Sequence, residues 1–395
     1  MLDPLPSLDY DAFARDLDAV RAEVGAAPDA EDLAHLRRMI RWGNACTAFG
    51  YATGWVAPNP LSAVALSLGM TARWTIVAHH VMHRGADRAP GVPPSLTRKR
   101  FARGWRRWVD WPDWMTPAAW DHEHNHLHHA RTSDPGDPDL VEAHLESVRQ
   151  AKVPRALKYA VVGFYALTWK FTYYAPNTLA LLRRAERRRA ANVPPDPDAP
   201  TTDVPILRAL DPRTEDGRAY WTQCALPYGL YRFVAIPALF APLGPWAVLS
   251  TWANSVMAEA LTSVHSFAVI APNHCGDDLY RFDRGPRDRA EFYVRQVLGS
   301  TNFRTGGDLN DFLHGFLNYQ IEHHLWPDLA PRQYQRLAAK VRSVCEKHGV
   351  AYVQESVFTR VRRLASVMVG ATSMRRGVTR SRRARDAAAA AVGAS

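Results

Sequence analysis

Five of the chain's 16 histidines lie between positions 122 and 129: His122, His124, His126, His128 and His129, within AAWDHEHNHLHHARTSDPGDPDL. An imidazole that leaves water needs a polar partner, so a cluster this dense cannot all be ordinary core packing. Imidazole is also a ligand for iron, zinc and copper. On an α-helix His124 and His128 share a face, while His129 points about 100° away, so the adjacent pair can address two different metal ions. His122, His126 and His129 also satisfy helical spacing, and the plainer alternative is a surface tract that binds metal weakly. Asp134, Asp137 and Asp139 follow in a Pro/Gly-rich loop. Carboxylates there either orient the imidazoles or form a solvated turn.

Two further clusters repeat the pattern. HHVMH places His79 and His83 on one helical face, with His80 as an alternative ligand, and the absence of Glu at position 80 excludes the HExxH zinc-protease pattern. QIEHHLWP supplies the adjacent pair His323 and His324, with Gln320 one turn earlier on the shared face. His265 lies inside an apolar run, where an ionisable group is costly and therefore a functional candidate, so it is preferred to the loop residue His274. The set His79, His83, His124, His128, His129, His265, His323 and His324 is too large for one tetrahedral zinc and matches two metals with all-histidine shells. Gln320, Asn125, Asp139 and Glu259 are candidates for hydrogen-bonded or water-mediated positions around them.

The elements that must position these residues are largely apolar. Residues 44–57 and 61–78, split by the turn Pro58-Asn59-Pro60, and residues 226–243 and 246–270, split by Leu243-Gly244-Pro245, read as two helical hairpins. Each run approaches the roughly 20 residues that span hydrocarbon, and a buried hairpin in a soluble bundle is the alternative. The expected fold is all-α integral membrane: four transmembrane helices under a helical cap that carries a dimetal site. The clusters then share one side, flanked by Arg-rich segments and so cytoplasmic. Residues 98–114 interleave Arg and Lys with Trp105, Trp108, Trp111 and Trp114, as at a membrane–water interface. Residues 158–182 include Lys170 and read as an interfacial helix. Residues 1–42 form a soluble helical segment and 43–345 the membrane domain. Residues 346–395 end in an arginine-rich tail, read as disordered and able to lie against anionic lipid.

The chain has 395 residues, 47% hydrophobic, and a net charge of +10. Its basic residues flank apolar runs instead of forming a stripe, which argues against a nucleic-acid binder. Four cysteines without paired spacing make neither a disulfide framework nor a zinc knuckle. The N-terminus has no apolar signal region.

HHVMH, HNHLHH and QIEHHLWP, in that order with apolar regions between them, resemble the three histidine boxes of the membrane fatty acid desaturase superfamily, over roughly residues 45–345. LNYQIEHHLWP is the most specific piece and resembles acyl-lipid and front-end desaturases. The resemblance implies two irons, O2 as co-substrate, and a double bond introduced into an acyl chain carried by lipid, CoA or carrier protein. It implies the eight histidines above as ligands, His265 as the extra histidine before the third box, and Gln320 near the metal. The HPGG haem motif of some relatives is missing, so electrons are expected from a separate ferredoxin or cytochrome-type partner. EHN before the second box also resembles the hydroxylases of this superfamily, and a hydroxylase or ketolase of a lipid, alkane or carotenoid is the alternative reading.

Overall fold

The computed structural model describes residues 5 and 7–377, apart from 26, 195–199 and 202–205. It is mainly helical. α1 (Tyr10–Ala22) starts where the Asp9 side chain accepts from the Ala12 N–H, and α2 (Ala30–Gly54) starts at a capping box formed by Asp29 and Asp32. The Asn59 side chain and Pro60 open α3 (Pro60–Met82), as the Pro-Asn-Pro turn predicts. α4 covers 117–131: Pro117–Trp120, the π-helical Asp121–His128, then His129–Arg131. α5 covers 155–190, with a π-helical turn at Lys170–Tyr174.

Glu215–Leu243 forms α6, and Gly244, at φ 101°, turns the chain into α7 (Pro245–Ile270). α8 (Arg289–Leu298), α9 (Gln320–Leu325), α10 (Pro331–Lys347) and α11 (Val357–Met368) complete the helices used here. Two short parallel pairs tie the C-terminal part down: β1 (Tyr280–Phe282) with β4 (Arg375–Gly377), and β2 (Asn302–Phe303) with β3 (Gln354–Glu355). Arg375 and Arg376 therefore belong to a strand and not to a free tail; the arginines from 380 onward lie outside the described residues.

Among the described residues two helices, α3 and α6, are long and apolar enough to cross a membrane. The expected spans 44–57 and 246–270 fall in α2 and α7. α2 begins with charged side chains, and α7 carries Asn254, Glu259 and His265. The burial of α7 is inverted relative to a soluble helix. Ser250, Asn254, Ser255, Thr262 and Ser266 are buried, while Leu249, Trp252, Val256 and Val264 are exposed. The buried polar groups bind neighbouring helices: Asn254 Nδ2 and Ser250 Oγ both donate to Gly54 O at 2.7 Å, and Thr262 Oγ1 donates to Ser67 Oγ at 3.1 Å. Small residues permit this approach. A Cβ on Gly50 would lie 2.5 Å from Leu66, and one on Gly69 2.9 Å from Gly43 O.

One apolar cluster runs from Tyr10 and Phe13 of α1 through Trp74, Trp120 and Tyr174 to Leu364 and Met374. Residues 42 and 43 both lie inside α2 and 345 and 346 inside α10, and among the described residues this core runs from α1 to Met374. Lys170 is buried in it. Its Nζ lies 2.8 Å from Asp113 Oδ2 and 4.7 Å above the Trp74 ring, which is how a charge is accommodated in an apolar helix.

Candidate metal centre

Four distant segments bring their histidines to one place: the end of α3, α4, the turn after α7 that holds His274, and α9. Three overlapping groups form there among the described residues, of which the third, His124, His128 and Asp139, links the other two. His79, His83, His124, His129 and His323 make the first; His128, His274 and His324 make the second, and within each group the ligand nitrogens lie within 4.8 Å of one another. His79 Nε2 is 3.0 Å from His124 Nε2, which is 3.3 Å from His129 Nε2, itself 3.1 Å from His323 Nε2. Neutral imidazoles cannot all donate across such contacts, so lone pairs face one another around a common point.

Outer acceptors set the tautomers. His79 Nδ1 lies 3.2 Å from Thr75 O, His128 Nδ1 2.8 Å from Asp137 Oδ1, and His274 Nδ1 3.1 Å from Gly299 O. Tyr334 spends its hydroxyl proton on Trp326 O, so at 3.1 Å it accepts from His323 Nδ1–H. Gln296 Nε2 donates to His129 O, which turns its Oε1 toward His324 Nδ1 at 3.0 Å. Each Nδ1–H bonded outward leaves an unprotonated Nε2 directed inward, the arrangement a metal requires. Nε2 of His83, His274 and His324 is buried with no protein partner. Burial first, and the neighbouring imidazoles second, hold His83, His124, His129, His323 and His324 well below the ordinary histidine range. Burial likewise lowers His274 to about 3. His128 differs: burial lowers it, but the Asp137 carboxylate outweighs this and raises it. Neutral, lone-pair-bearing imidazoles of this number could hold metal, and without it their buried nitrogens stay unsatisfied.

The π-helical register changes the pairing that α-helical spacing suggests. A π-turn closes i to i+5, so His124 meets His129 in the first group, and His128 goes to the second. His124 and His128 still stack, at 5.3 Å. His265 lies outside both groups: its Nε2 donates to Leu313 O at 2.7 Å, while His274 takes a place in the second. His80 is buried beside His79 and His323, outside both groups. His122 and His126 face each other at 6.2 Å on the outer side of α4, where His126 is exposed. Asn125 donates to Asp121 and Met82 O. Glu259 accepts from Tyr228 and Trp114 and lies 3.5 Å from Arg232, a buried polar cluster between α6 and α7. Asp139 Oδ2 is 3.6 Å from His128 Nδ1; burial raises its pKa to about 6. Asp134 is buried against Arg131 instead. Gln296 and Tyr334 are partners the sequence did not reveal, because only the tertiary fold brings them to an imidazole.

A largely aromatic cavity opens on the histidines. Trp74, Trp169, Tyr173, Tyr174 and Phe267 form much of its wall, and His79, His124, His128 and His274 face it. Gln320 also lines it and its buried Oε1 has no protein partner. Tyr174 is fixed by donating to Glu123 Oε2 at 2.8 Å.

Fold and site define a mainly helical protein with imidazole groups able to bind metal beside an apolar cavity. The family model for fatty acid desaturase matches residues 53–356, and the chain belongs to that family. It is thus an oxidoreductase of lipid metabolism. It is similar to the NADPH-dependent stearoyl-CoA 9-desaturase of Mycobacterium tuberculosis (strain ATCC 25618 / H37Rv), at 27% identity over 89% of this chain and 77% of the relative. Shorter matches are to the acyl-lipid (9-3)-desaturase of Physcomitrium patens (32% identity, 23% of this chain and 16% of the relative) and the Delta(8)-fatty-acid desaturase of Euglena gracilis (41%, 15% and 14%).

Proposed function

We propose that this protein introduces a double bond into a membrane-associated fatty acyl chain, using O2, two irons and electrons from a separate carrier. The observation that carries the reading is the pair of inward-facing imidazole groups bordering an apolar, aromatic-walled cavity. His79, His83, His124, His129 and His323 would hold one iron, and His128, His274 and His324 the other. Iron held there would activate O2, the oxidant, so that –CH2–CH2–, O2, two electrons and two protons give –CH=CH– and two waters. The chain's own side chains do the positioning. Trp74, Trp169 and Tyr174 pack along an acyl chain and exclude water, and fixing the methylenes beside the metals decides which hydrogens leave. Asp137, Gln296 and Tyr334 keep their histidines in the ligating tautomer.

Exposed apolar side chains on α2, α3, α6 and α7, with small polar residues buried between those helices, support four membrane-embedded helices in two hairpins. The polar cap would then lie on the cytoplasmic face. Acyl-CoA and acyl-lipid are the substrate carriers that the relatives' names support.

The test is expression in a host lacking the activity, with ferredoxin and its reductase supplied, followed by gas chromatography and mass spectrometry of acyl chains. A new acyl chain two hydrogens lighter than its precursor establishes desaturation. A product heavier by one oxygen moves the protein to the hydroxylase reading.

A further inference from the structure

A second concavity, of about 650 Å³, shares no lining residue with the aromatic cavity. Arg84, Arg88, Arg98, Lys99 and Arg103 line it, against two carboxylates, Asp87 and Asp328. We infer that this basic concavity is the docking site of a small acidic electron-carrier protein that reduces the metal centre. The inference rests on the desaturase reading for its need of outside electrons: each one-electron carrier delivers one, so two reduced carriers are oxidised per double bond.

Two of the histidine segments contribute a lining residue to this surface, and α4 is tied to it by one hydrogen-bonded link. Arg84 directly follows His83, and Asp328 stands four residues after His324. Arg98 Nη2 donates to both oxygens of Asp121, at 2.9 and 3.1 Å, and Asp121 also accepts from Asn125, the neighbour of His124. The loop after His83 runs close against the loop after His324: a Cβ on Gly85 would lie 2.8 Å from Leu329 O. A carrier seated here would rest one residue from the proposed ligand His83 and four from His324, and would reach α4 through Arg98, Asp121 and Asn125. Arg84 is also left-handed, at φ 67°, a conformation costly for a non-glycine residue and common at functional sites.

The charges leave room for an acidic partner. Arg98 is occupied by Asp121, and Asp328 is shared by Arg21 at 3.3 Å and Arg88 at 3.6 Å. Arg84, Lys99 and Arg103 are exposed and form no ion pair among the described residues. Complementary potential of this kind steers transient encounters and raises association rates. The lining contains no apolar side chain, and its Asp328 is tied to Arg21 of the polar helix α1, so a soluble protein fits better than a bilayer. The acyl cavity has a separate wall, which disfavours the substrate's own head group.

The probe is an acidic [2Fe–2S] ferredoxin, titrated against the iron-loaded, detergent-solubilised full chain at low and high salt. Wild type should bind, more weakly at high salt. The double variant Lys99→Glu/Arg103→Glu should weaken binding at low salt by about tenfold or more. Its iron content and its KM for the acyl substrate should stay at wild-type values, and Lys99→Arg should bind normally. No ferredoxin binding by wild type, or equal binding by the double variant, overturns the inference. So does a variant that holds ferredoxin but loses affinity for coenzyme A or for phosphatidylglycerol vesicles. Normal, salt-sensitive ferredoxin binding without any oxidised acyl product instead sinks the desaturase reading and leaves the docking site standing.

Discussion

At the scale of single residues, His265 and His274 make opposite predictions. His274 Nε2 is buried without a protein partner in the second imidazole group, whereas His265 Nε2 is spent on Leu313 O. His274→Ala should therefore remove roughly half of the iron bound per chain and abolish turnover, since a metal shell depends on each ligand. His265→Ala should keep the iron and most of the activity. Elemental analysis of the purified proteins checks both, and equal iron in the two variants would sink the assignment. Asp137→Asn tests the orienting role beside them. It preserves shape but weakens the acceptor for His128 Nδ1–H, and should lower iron affinity about 10–100-fold, read by chelator competition. The sequence made the three clusters legible because so many imidazoles in so few positions have little other use. It favoured His265 over His274, on the cost of an ionisable group in an apolar run, whereas His274 is the one that stands in a ligand group. That choice depends on how the end of α7 lies against the other segments, which is tertiary.

At the scale of elements, the departure from α-helical geometry is what the sequence concealed. Helical periodicity placed His124 and His128 together, as they are in the group with Asp139, but did not give the further meeting of His124 with His129 that the π-turn makes. The turns at Asn59 and Gly244 were legible because Pro, Asn and Gly mark backbone that cannot continue a helix. Helix packing supplies a prediction with opposite signs. Gly69 faces Gly43 O and Thr47 on α2, so Gly69→Ala overpacks the α2–α3 contact and should cost about 1–3 kcal/mol. Gly163 is exposed in α5 with nothing near a new Cβ, so Gly163→Ala should stabilise by about 0.5–1 kcal/mol. Thermal unfolding midpoints in one detergent should move in opposite directions; a shared direction would mean that α2 and α3 do not pack this closely.

At the scale of the molecule, the proposed metals join parts of the chain that lie far apart in sequence. His83, His129 and His323 come from α3's end, α4 and α9, and the shared core extends to both ends of the described chain. Without metal, Nε2 of His83, His274 and His324 remains buried and unpaired, and such groups are costly to hold out of water. Metal that binds only the folded arrangement stabilises it by mass action, by about 2.7 kcal/mol at one hundred times its dissociation constant. Chelation should therefore lower the unfolding midpoint of the whole protein, and ferrous iron should restore it. Hydrogen exchange should quicken most at the histidine-bearing ends of α3 and α4 and in α9. It should change least in the α2–α3 contact, which is held by small residues and side-chain hydrogen bonds and not by imidazoles. Faster exchange spread evenly over all helices would mean that the metals tie the whole fold together as one cooperative unit. Unchanged exchange with complete metal loss would mean that the histidine groups hold their geometry unaided. Either result fixes how far the site is preorganised by the chain alone, because a site rigid without metal must be supported by Asp137, Gln296, Tyr334 and their neighbours.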